Sequence, residues 1–377
     1  MPCLNEADTL ATCIAKAQRV MVEHGIVGEV IVADNGSTDE SVAIAELLGA
    51  RVVAVTEKGY GSALRGGIKA TRARFVIMGD ADDSYDFLEI PRFVDLLRQG
   101  HELVQGCRLP RGGGRVEPGA MPWLHRWIGN PALSWLVRLM FRSPVNDVYC
   151  GLRGFTKALY DDLDLRAEGM EFATEMIIRS SLYGRDIAEL PITLHPDGRV
   201  RHTPHLRTFR DGWRTLRFFM LYSPRWLFLI PGFAMIGLGL VGYGLAMPGL
   251  TILGVTPDAH SLLFASLAIL MGYQSVLFAF LAKVFAIGEG MLPDDRRLAR
   301  LFDVFRLEHG LLLGSVMLAA GSGLLGWSLL EWWQAAFGDL DYAVTMRKVI
   351  PGVTLAALGF QTVLSSGFVS ILGMRRS

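Results

Sequence analysis

The chain has 377 residues, with 37 Lys and Arg against 37 Asp and Glu. It is too long for one small module and too neutral to bind nucleic acid by bulk charge, so two or three structural units are expected. Residues 1–225 hold 28 charges of each sign and only nine of each follow, which excludes a purely soluble chain.

In the first half, 6–24, 38–48, 60–72 and 87–98 carry apolar residues at helical spacing, while 28–34 and 74–80 are apolar, β-branched runs. The alternation predicts an α/β head, Rossmann-like, with a mainly parallel sheet covered on both faces. Asp34 and Asp80 each close one strand. In open α/β sheets ligands sit beyond the carboxyl ends of the strands, so both side chains are expected at one crevice.

Asp34-Asn35-Gly36-Ser37-Thr38-Asp39 is turn-rich, and taken alone it reads as a loop in which Ser37 or Thr38 caps the next helix. Gly79-Asp80-Ala81-Asp82-Asp83-Ser84-Tyr85-Asp86 places four carboxylates within seven residues at a strand end. Their repulsion is costly without a cation or donors. Hard divalent ions take carboxylate oxygens and leave positions for phosphate oxygens, so Asp80 and Asp82 suit Mg²⁺ or Mn²⁺ held against a diphosphate. A solvated acidic loop is the alternative.

Met1-Pro2-Cys3-Leu4-Asn5-Glu6, the 34–39 segment, Lys58-Gly59-Tyr60-Gly61 with Arg65, and Gly79-Asp80-Ala81-Asp82-Asp83 together resemble the ordered motifs of inverting family 2 glycosyltransferases with a GT-A fold. The resemblance covers about residues 1–225, and with the spans that follow the chain is similar to dolichyl-phosphate mannose synthase and other bacterial polyisoprenyl-phosphate glycosyltransferases. It implies that Pro2, Asn5, Glu6, Asp34, Ser37, Lys58, Arg65 and Ala81 line the nucleotide-sugar pocket, and that Asp80 and Asp82 hold metal and diphosphate. In the family a hydrophobic strand precedes Pro-x-x-Asn-Glu, whereas only Met1 stands here. A central strand cannot be dropped without unpairing its neighbours, so a start upstream of Met1, or a compensation in the fold, is expected.

The segments 145–155 and 169–175 resemble the acceptor side of the same family. Asp147 is taken as catalytic or as positioning Arg153, and Glu171 and Glu175, four apart, share a helix face or simply favour a helix start. Arg108, Arg111 and Arg115 surround Gly112-Gly113-Gly114, a basic loop able to close over a diphosphate or a plain surface loop.

Residues 199–225 hold seven Arg and one acid, Asp211. Leu206, Phe209, Trp213, Leu216 and Met220 form an apolar stripe beside a basic one of Arg207, Arg210, Arg214 and Arg217, the pattern of an interfacial helix. Arg153, Glu171, Glu175, Arg199, Arg201, Arg207 and Arg210 are the candidates for the acceptor and its phosphate. Generic attraction to anionic lipid explains the basic stripe equally well.

Uncharged runs at 226–257, 261–282, 310–330 and 349–374 are each long enough to cross a hydrocarbon core of about 30 Å. Four spans are expected, near 227–247, 261–283, 310–330 and 350–373. Lys283, Arg296, Arg297, Arg300 and Arg306 between the second and third spans, and Arg375 and Arg376 in the tail, keep the head and C-terminus in the cytoplasm by the positive-inside rule; Arg347 and Lys348 are outnumbered. Cys3, Cys13, Cys107 and Cys150 show no metal spacing and fit a reducing compartment.

The sequence therefore divides into a GT-A domain at 1–198, a basic interfacial segment at 199–225 and a four-helix membrane domain at 226–377. It is expected to be an inverting enzyme of the inner or plasma membrane that moves a hexose from a UDP- or GDP-sugar to a polyprenyl phosphate. Nucleic acid is not an expected partner, and self-association stays open. A processive polysaccharide synthase is the alternative, disfavoured because Tyr222 stands where Gln belongs before Arg225-Trp226. A silent lipid-carrier or assembly protein is the other, disfavoured by the intact Asp80 and Asp82.

Overall fold

The computed structural model describes residues 1–199, 208–249, 256–295 and 307–374. It contains two compact units, Met1–Phe219 and Met220–Ser377.

The first unit has β1 (Pro2–Cys3), α1 (Leu10–Glu23), β2 (Ile31–Asp34), α2 (Ser41–Leu47), β3 (Arg51–Ala54), α3 (Tyr60–Ala70), β4 (Phe75–Met78), α4 (Ile90–Arg98), β5 (Leu103–Cys107) and β6 (Arg115–Val116). There follow α5 (Asn130–Phe141), β7 (Arg153–Thr156), α6 (Lys157–Leu163), α7 (Glu171–Leu182), β8 (Ile187–Pro191), β9 (Thr193–Leu194) and α8 (Thr208–Leu221), which runs into the second unit. The helices and strands expected from spacing are all present, shortened at their ends. Spacing indicates only β2 and β4 among the strands; β3, for example, is a four-residue edge strand with exposed ends and no apolar run beyond Val52-Val53.

Among the described residues three ladders form: β1-β2-β3 in parallel, β4-β7-β5-β8, and the parallel pair β6-β9. β7 runs antiparallel to both β4 and β5, a reversal that spacing alone did not show. β1 is two residues long and pairs only with β2, through Pro2 opposite Ala33 and Cys3 opposite Asp34. Proline has no N–H to offer a further neighbour, and among the described residues no ladder joins β1 to β4. Packing compensates. Leu10, Cys13, Ile14, Ala17 and Val20 form one buried face of α1, and Ile90, Phe93, Val94 and Leu97 form that of α4, in one core with Val32 and Val104. At about 1.5–3 kcal/mol for each large apolar side chain fully buried, these two faces hold the ladders together where backbone pairing is absent.

Among the described residues, the second unit has four helices long and apolar enough to cross a membrane: Arg225–Ala246 (including α9, Ile230–Ala246), α10 (Ala259–Gly288), α11 (Leu307–Gln334) and α12 (Tyr342–Met374). Without a hydrophobic force between helices in lipid, close backbone approach has to come from small residues. A Cβ on Gly272 would lie 2.6 Å from the Gly232 carbonyl, and one on Gly359 would lie 2.6 Å from that of Gly314. These contacts seam α9 to α10 and α11 to α12. Tyr243 bonds Ser266 at 2.6 Å and Thr354 at 3.1 Å, which ties α9 to α10 and α12.

Candidate active site

Asp34 closes β2, and its carboxylate accepts the backbone N–H groups of Gly36 (3.0 Å) and Ser37 (3.1 Å). That Asx-type turn leaves the next residue, Asn35, pointing inward. Buried Asn35 donates to the carbonyls of Val55 (3.1 Å) and Glu57 (2.7 Å) and accepts from the Gly59 N–H (2.8 Å). One amide thus fastens the 55–59 loop to the turn, and the Lys58 ammonium donates to the Asn35 carbonyl at 2.7 Å. Sequence reading passed over Asn35 as part of a motif, although Asx chemistry inside a turn was the available signal.

The N-terminal segment is stitched to the same turn. The Asn5 N–H donates to Ser37 Oγ (2.9 Å), Asn5 Oδ1 accepts from the Thr38 N–H (2.8 Å), and the Glu6 N–H donates to Ser41 Oγ (2.9 Å). The structure therefore brings together Pro2, Asn5, Glu6, Asp34, Ser37 and Lys58. Arg65 is not among them; it stands on α3 and donates to the Arg166 carbonyl at 3.3 Å.

The acidic turn follows β4. Thr9, just before α1, donates to the Ala81 carbonyl at 2.6 Å, and Asp82 Oδ1 accepts from the backbone N–H (3.0 Å) and hydroxyl (2.6 Å) of Ser84. Asp80 Oδ1 accepts from the Tyr60 hydroxyl at 2.8 Å. Tyr60 opens α3, and Gly59 before it has φ +136° with the Glu168 carbonyl 2.3 Å from where a Cβ would sit. No other residue fits there. Gly151 likewise approaches Asp80, since a Cβ would fall 2.6 Å from Oδ2. Burial, and then the neighbouring charge of Asp82, push the Asp80 carboxyl up to about 6.

Arg199 bridges this cluster. It donates to Glu6 at 2.8 Å through Nε and 2.5 Å through a terminal nitrogen, and lies 3.2 Å from Asp197 and 3.6 Å from Asp82. Expected at the acceptor, Arg199 stands instead beside the nucleotide-sugar candidates, because the Gly198 N–H donates to the Asp82 carbonyl (3.0 Å) and folds the segment onto the acidic turn.

Other acceptor-side expectations need correction. Asp147 is fully buried and its carboxylate accepts the Arg108 Nε (2.8 Å), terminal nitrogen (2.9 Å) and backbone N–H (2.9 Å), so it positions Arg108, not Arg153. Arg108 is accordingly an interior residue and not part of a surface loop, and it also donates to the Tyr85 hydroxyl (3.2 Å). Tyr85 accepts from the Gly151 N–H at 2.8 Å. A buried chain thus leads from Asp147 through Arg108 and Tyr85 to the glycine against Asp80. Arg111 and Arg115 are exposed, and Arg115 belongs to β6, paired with β9.

Arg153 is also fully buried, with its guanidinium donating to the carbonyls of Ala173 (2.6 Å) and Cys150 (2.8 Å), which removes it from the acceptor candidates. Glu175 is fully buried and accepts the N–H groups of Arg166 (3.0 Å) and Ala167 (2.8 Å), holding the loop that meets Gly59. Glu171 pairs with Arg214 of α8 at 2.7 Å. Arg201 and Arg207, and the Arg210 side chain, lie outside the described residues.

Among the described residues no three acidic, imidazole or thiol groups converge as a metal site would require. Among the described residues, Asp80 and Asp82 are the candidate ligands. Their oxygens are hard donors, and neither Oδ2 atom takes a hydrogen bond among the described residues. That donor set fits a divalent ion whose remaining ligands are diphosphate oxygens and water.

The family model for "Glycosyl transferase family 2" matches residues 1–154, and that for the "Glycosyltransferase family 2 C-terminal transmembrane region" matches 280–373. The low-salt glycan biosynthesis hexosyltransferase Agl6 of Haloferax volcanii is 34% identical over 375 residues, covering 99% of this chain and 88% of that protein. The chain belongs to family 2 of the glycosyltransferases. Its first unit has the family's GT-A fold, and its second makes it a multi-pass membrane protein. Dolichyl-phosphate hexose transferase of the same organism is 31% identical over 188 residues, covering 50% of this chain and 78% of that one. Among solved structures, glucosyl-3-phosphoglycerate synthase from Mycobacterium tuberculosis is similar over 58% of this chain and 77% of that one, at 24% identity and a TM-score of 0.45.

Proposed function

We propose that this glycosyltransferase moves a hexose from a nucleoside diphosphate sugar to a polyprenyl phosphate in one inverting displacement at the cytoplasmic membrane face. The observation that carries this is the pair of carboxylates, Asp80 and Asp82, that follows β4, each with one oxygen outside the hydrogen bonds from Tyr60 and Ser84, in a chain that also holds four apolar spans among its described residues. The names of the two Haloferax relatives, a hexosyltransferase and a dolichyl-phosphate hexose transferase, support hexose and lipid phosphate as substrates.

Asp34, with Pro2, Asn5 and Ser37 around it, would take the nucleoside, and Lys58, fixed at the Asn35 carbonyl, would face the diphosphate. Asp80 and Asp82 would hold Mg²⁺ or Mn²⁺, which supplies charge neutralisation to the departing diphosphate. Tyr60 keeps Asp80 aimed, and Ser84 keeps Asp82 aimed. An acceptor phosphate oxygen attacks the anomeric carbon while the bond to the nucleoside diphosphate breaks, the electron pair leaving on that group. A phosphate is already ionised near neutral pH, so no side chain has to act as general base, in agreement with Asp147 being sequestered by Arg108. Arg199, and the basic residues from Arg201 to Arg210, would meet the anionic substrates. Lys283, Arg296, Arg297, Arg300 and Arg306, between the second and third spans, support a cytoplasmic head by the positive-inside rule.

The test uses full-length protein in nanodiscs with a short polyprenyl phosphate and a panel of UDP- and GDP-hexoses. Glycolipid read by mass spectrometry, with the anomer inverted by NMR, is the expected result. A growing polysaccharide, or donor turnover without any glycolipid, would overturn the reading.

A further inference from the structure

α10 has two faces. The inner one packs on α9, where a Cβ at Gly239 would lie 2.6 Å from the Ala265 carbonyl, in line with the approach of Gly272 to Gly232. On the face turned away, Phe264, Leu267, Met271, Gln274, Phe278 and Phe285 recur at spacings of three, four, three, four and seven. The five apolar members are 49% to 74% exposed, and Gln274 is exposed with them. Hydrophobic residues alternating three and four apart form the seam along which two helices wind left-handedly around each other, a pattern that contact with lipid tails does not demand.

Gln274 selects the partner. It is the sixteenth of the 30 residues of α10, so about 21–23 Å of helix lies on either side of it and its side chain stands near mid-bilayer. Among the described residues the carboxamide makes no hydrogen bond, and acyl chains offer it none. The exposed serines of α11, Ser315 and Ser322, can bond a carbonyl of their own helix and make no such demand. Beside Gln274 runs a groove of about 370 Å³ bordered by Phe228, Leu270, Met271, Phe278 and Gln361, and Gln361 Oε1 is buried there without a partner.

We propose that the outward face of α10 docks a second copy of this chain, with Gln274 at the centre of the seam. The occupant follows from depth and symmetry. Polar groups of lipids lie at the bilayer boundary and do not reach this level. Two copies insert with the same ends on the same side, so their two-fold axis lies along the bilayer normal and identical residues meet at one depth. A carboxamide donates through its nitrogen and accepts through its oxygen, so two copies of Gln274 satisfy each other. Met271 and Phe278, above and below, are the apolar knobs of the seam, and one polar position inside such a seam fixes its register and the number of helices. The proposal is independent of which sugar and acceptor are used.

The experiment reconstitutes fluorescently labelled full-length protein in liposomes and counts paired chains by single-molecule photobleaching as the protein is diluted in lipid. Wild type should pair, and Gln274→Leu should need roughly three- to thirtyfold more protein for half pairing, the range expected for interhelical hydrogen bonds in lipid. Gln274 holds no hydrogen bond within the described chain, so an unchanged melting temperature in the variant separates association from folding. Oxidative crosslinking reads the geometry: Met271→Cys and Phe278→Cys should each join chains at least roughly tenfold more readily than Leu312→Cys on the exposed side of α11, because a disulfide needs closely approaching backbones. The four native cysteines are buried. Single chains at every dilution would overturn the proposal, and a lipid retained by those single chains in native mass spectrometry would assign the face to lipid instead. Equal crosslinking at 271, 278 and 312, or equal pairing by wild type and Gln274→Leu, would overturn the seam.

Discussion

The hydroxyl of Tyr60 donates a 2.8 Å hydrogen bond to Asp80 Oδ1, joining the first turn of α3 to the acidic turn after β4. The donor is aimed by its backbone, since Gly59 before it is pressed against the Glu168 carbonyl. A hydrogen bond to a charged group contributes about 1.5–3 kcal/mol, so Tyr60→Phe should slow transfer roughly ten- to hundredfold if the bond is kept at the transition state. The bond also stabilises the fold, so the melting temperature should fall as well, by roughly a few degrees. Wild-type turnover in Tyr60→Phe would show that Asp80 is aimed without it.

Asp82→Asn preserves an acceptor for Ser84 but removes a charge from the candidate metal ligand. Transfer should fall about a hundredfold or more, by comparison with the loss of other transition-state charge stabilisers. Metal titration followed by the quenching of a fluorescent nucleotide gives a readout besides turnover, and the midpoint should rise. Unchanged activity and midpoint in both Mg²⁺ and Mn²⁺ would reject the assignment.

Asp80 should make the ligand-free protein less stable at neutral pH. Its folded pKa of about 6 lies above the ordinary 3.8, so between these values the unfolded chain has lost a proton that the folded chain keeps. The stabilisation is complete below about 4 and is lost as pH rises through 6, an effect on the order of 3 kcal/mol. Asp80→Asn cannot titrate. Its melting temperature without metal should exceed that of wild type at pH 7, and the two should converge toward pH 4. A constant difference across that range would show that the carboxyl is not destabilised by burial.

Breaking the interior pair of Arg108 and Asp147 should be severe. Removal of one partner from a buried ion pair costs about 3–5 kcal/mol, because the other charge stays uncompensated. Asp147→Asn should therefore lower the melting temperature markedly, whereas Arg108→Met combined with Asp147→Leu should recover most of it. Activity should not recover in the double variant, because the Tyr85 hydroxyl, which also accepts from the Gly151 N–H, loses its Arg108 donor. Full activity there would reduce the pair to a packing role.

What the sequence determined by itself was whatever depends on local order along the chain. Apolar periodicity set α1 to α4, and uncharged length set the four spans, because a helix face and a hydrocarbon crossing are written in consecutive residues. The Asp80–Asp82 turn was legible for the same reason, since both carboxylates follow one apolar strand. What only the tertiary structure decided is which distant groups meet. Asp147 and Arg108 are separated by 39 residues, and Arg199 and Glu6 by 193. A carboxylate looks alike in sequence whether it faces substrate or lies sealed against a guanidinium, so the buried state of Asp147 and Arg153 could not be read from their motif. β7 turning antiparallel between β4 and β5 places Arg153 in the interior, and the fold of 195–199 over the acidic turn carries Arg199 to Glu6. Burial and charge pairing are properties of the packed sheet and loops, and no spacing along the chain encodes them.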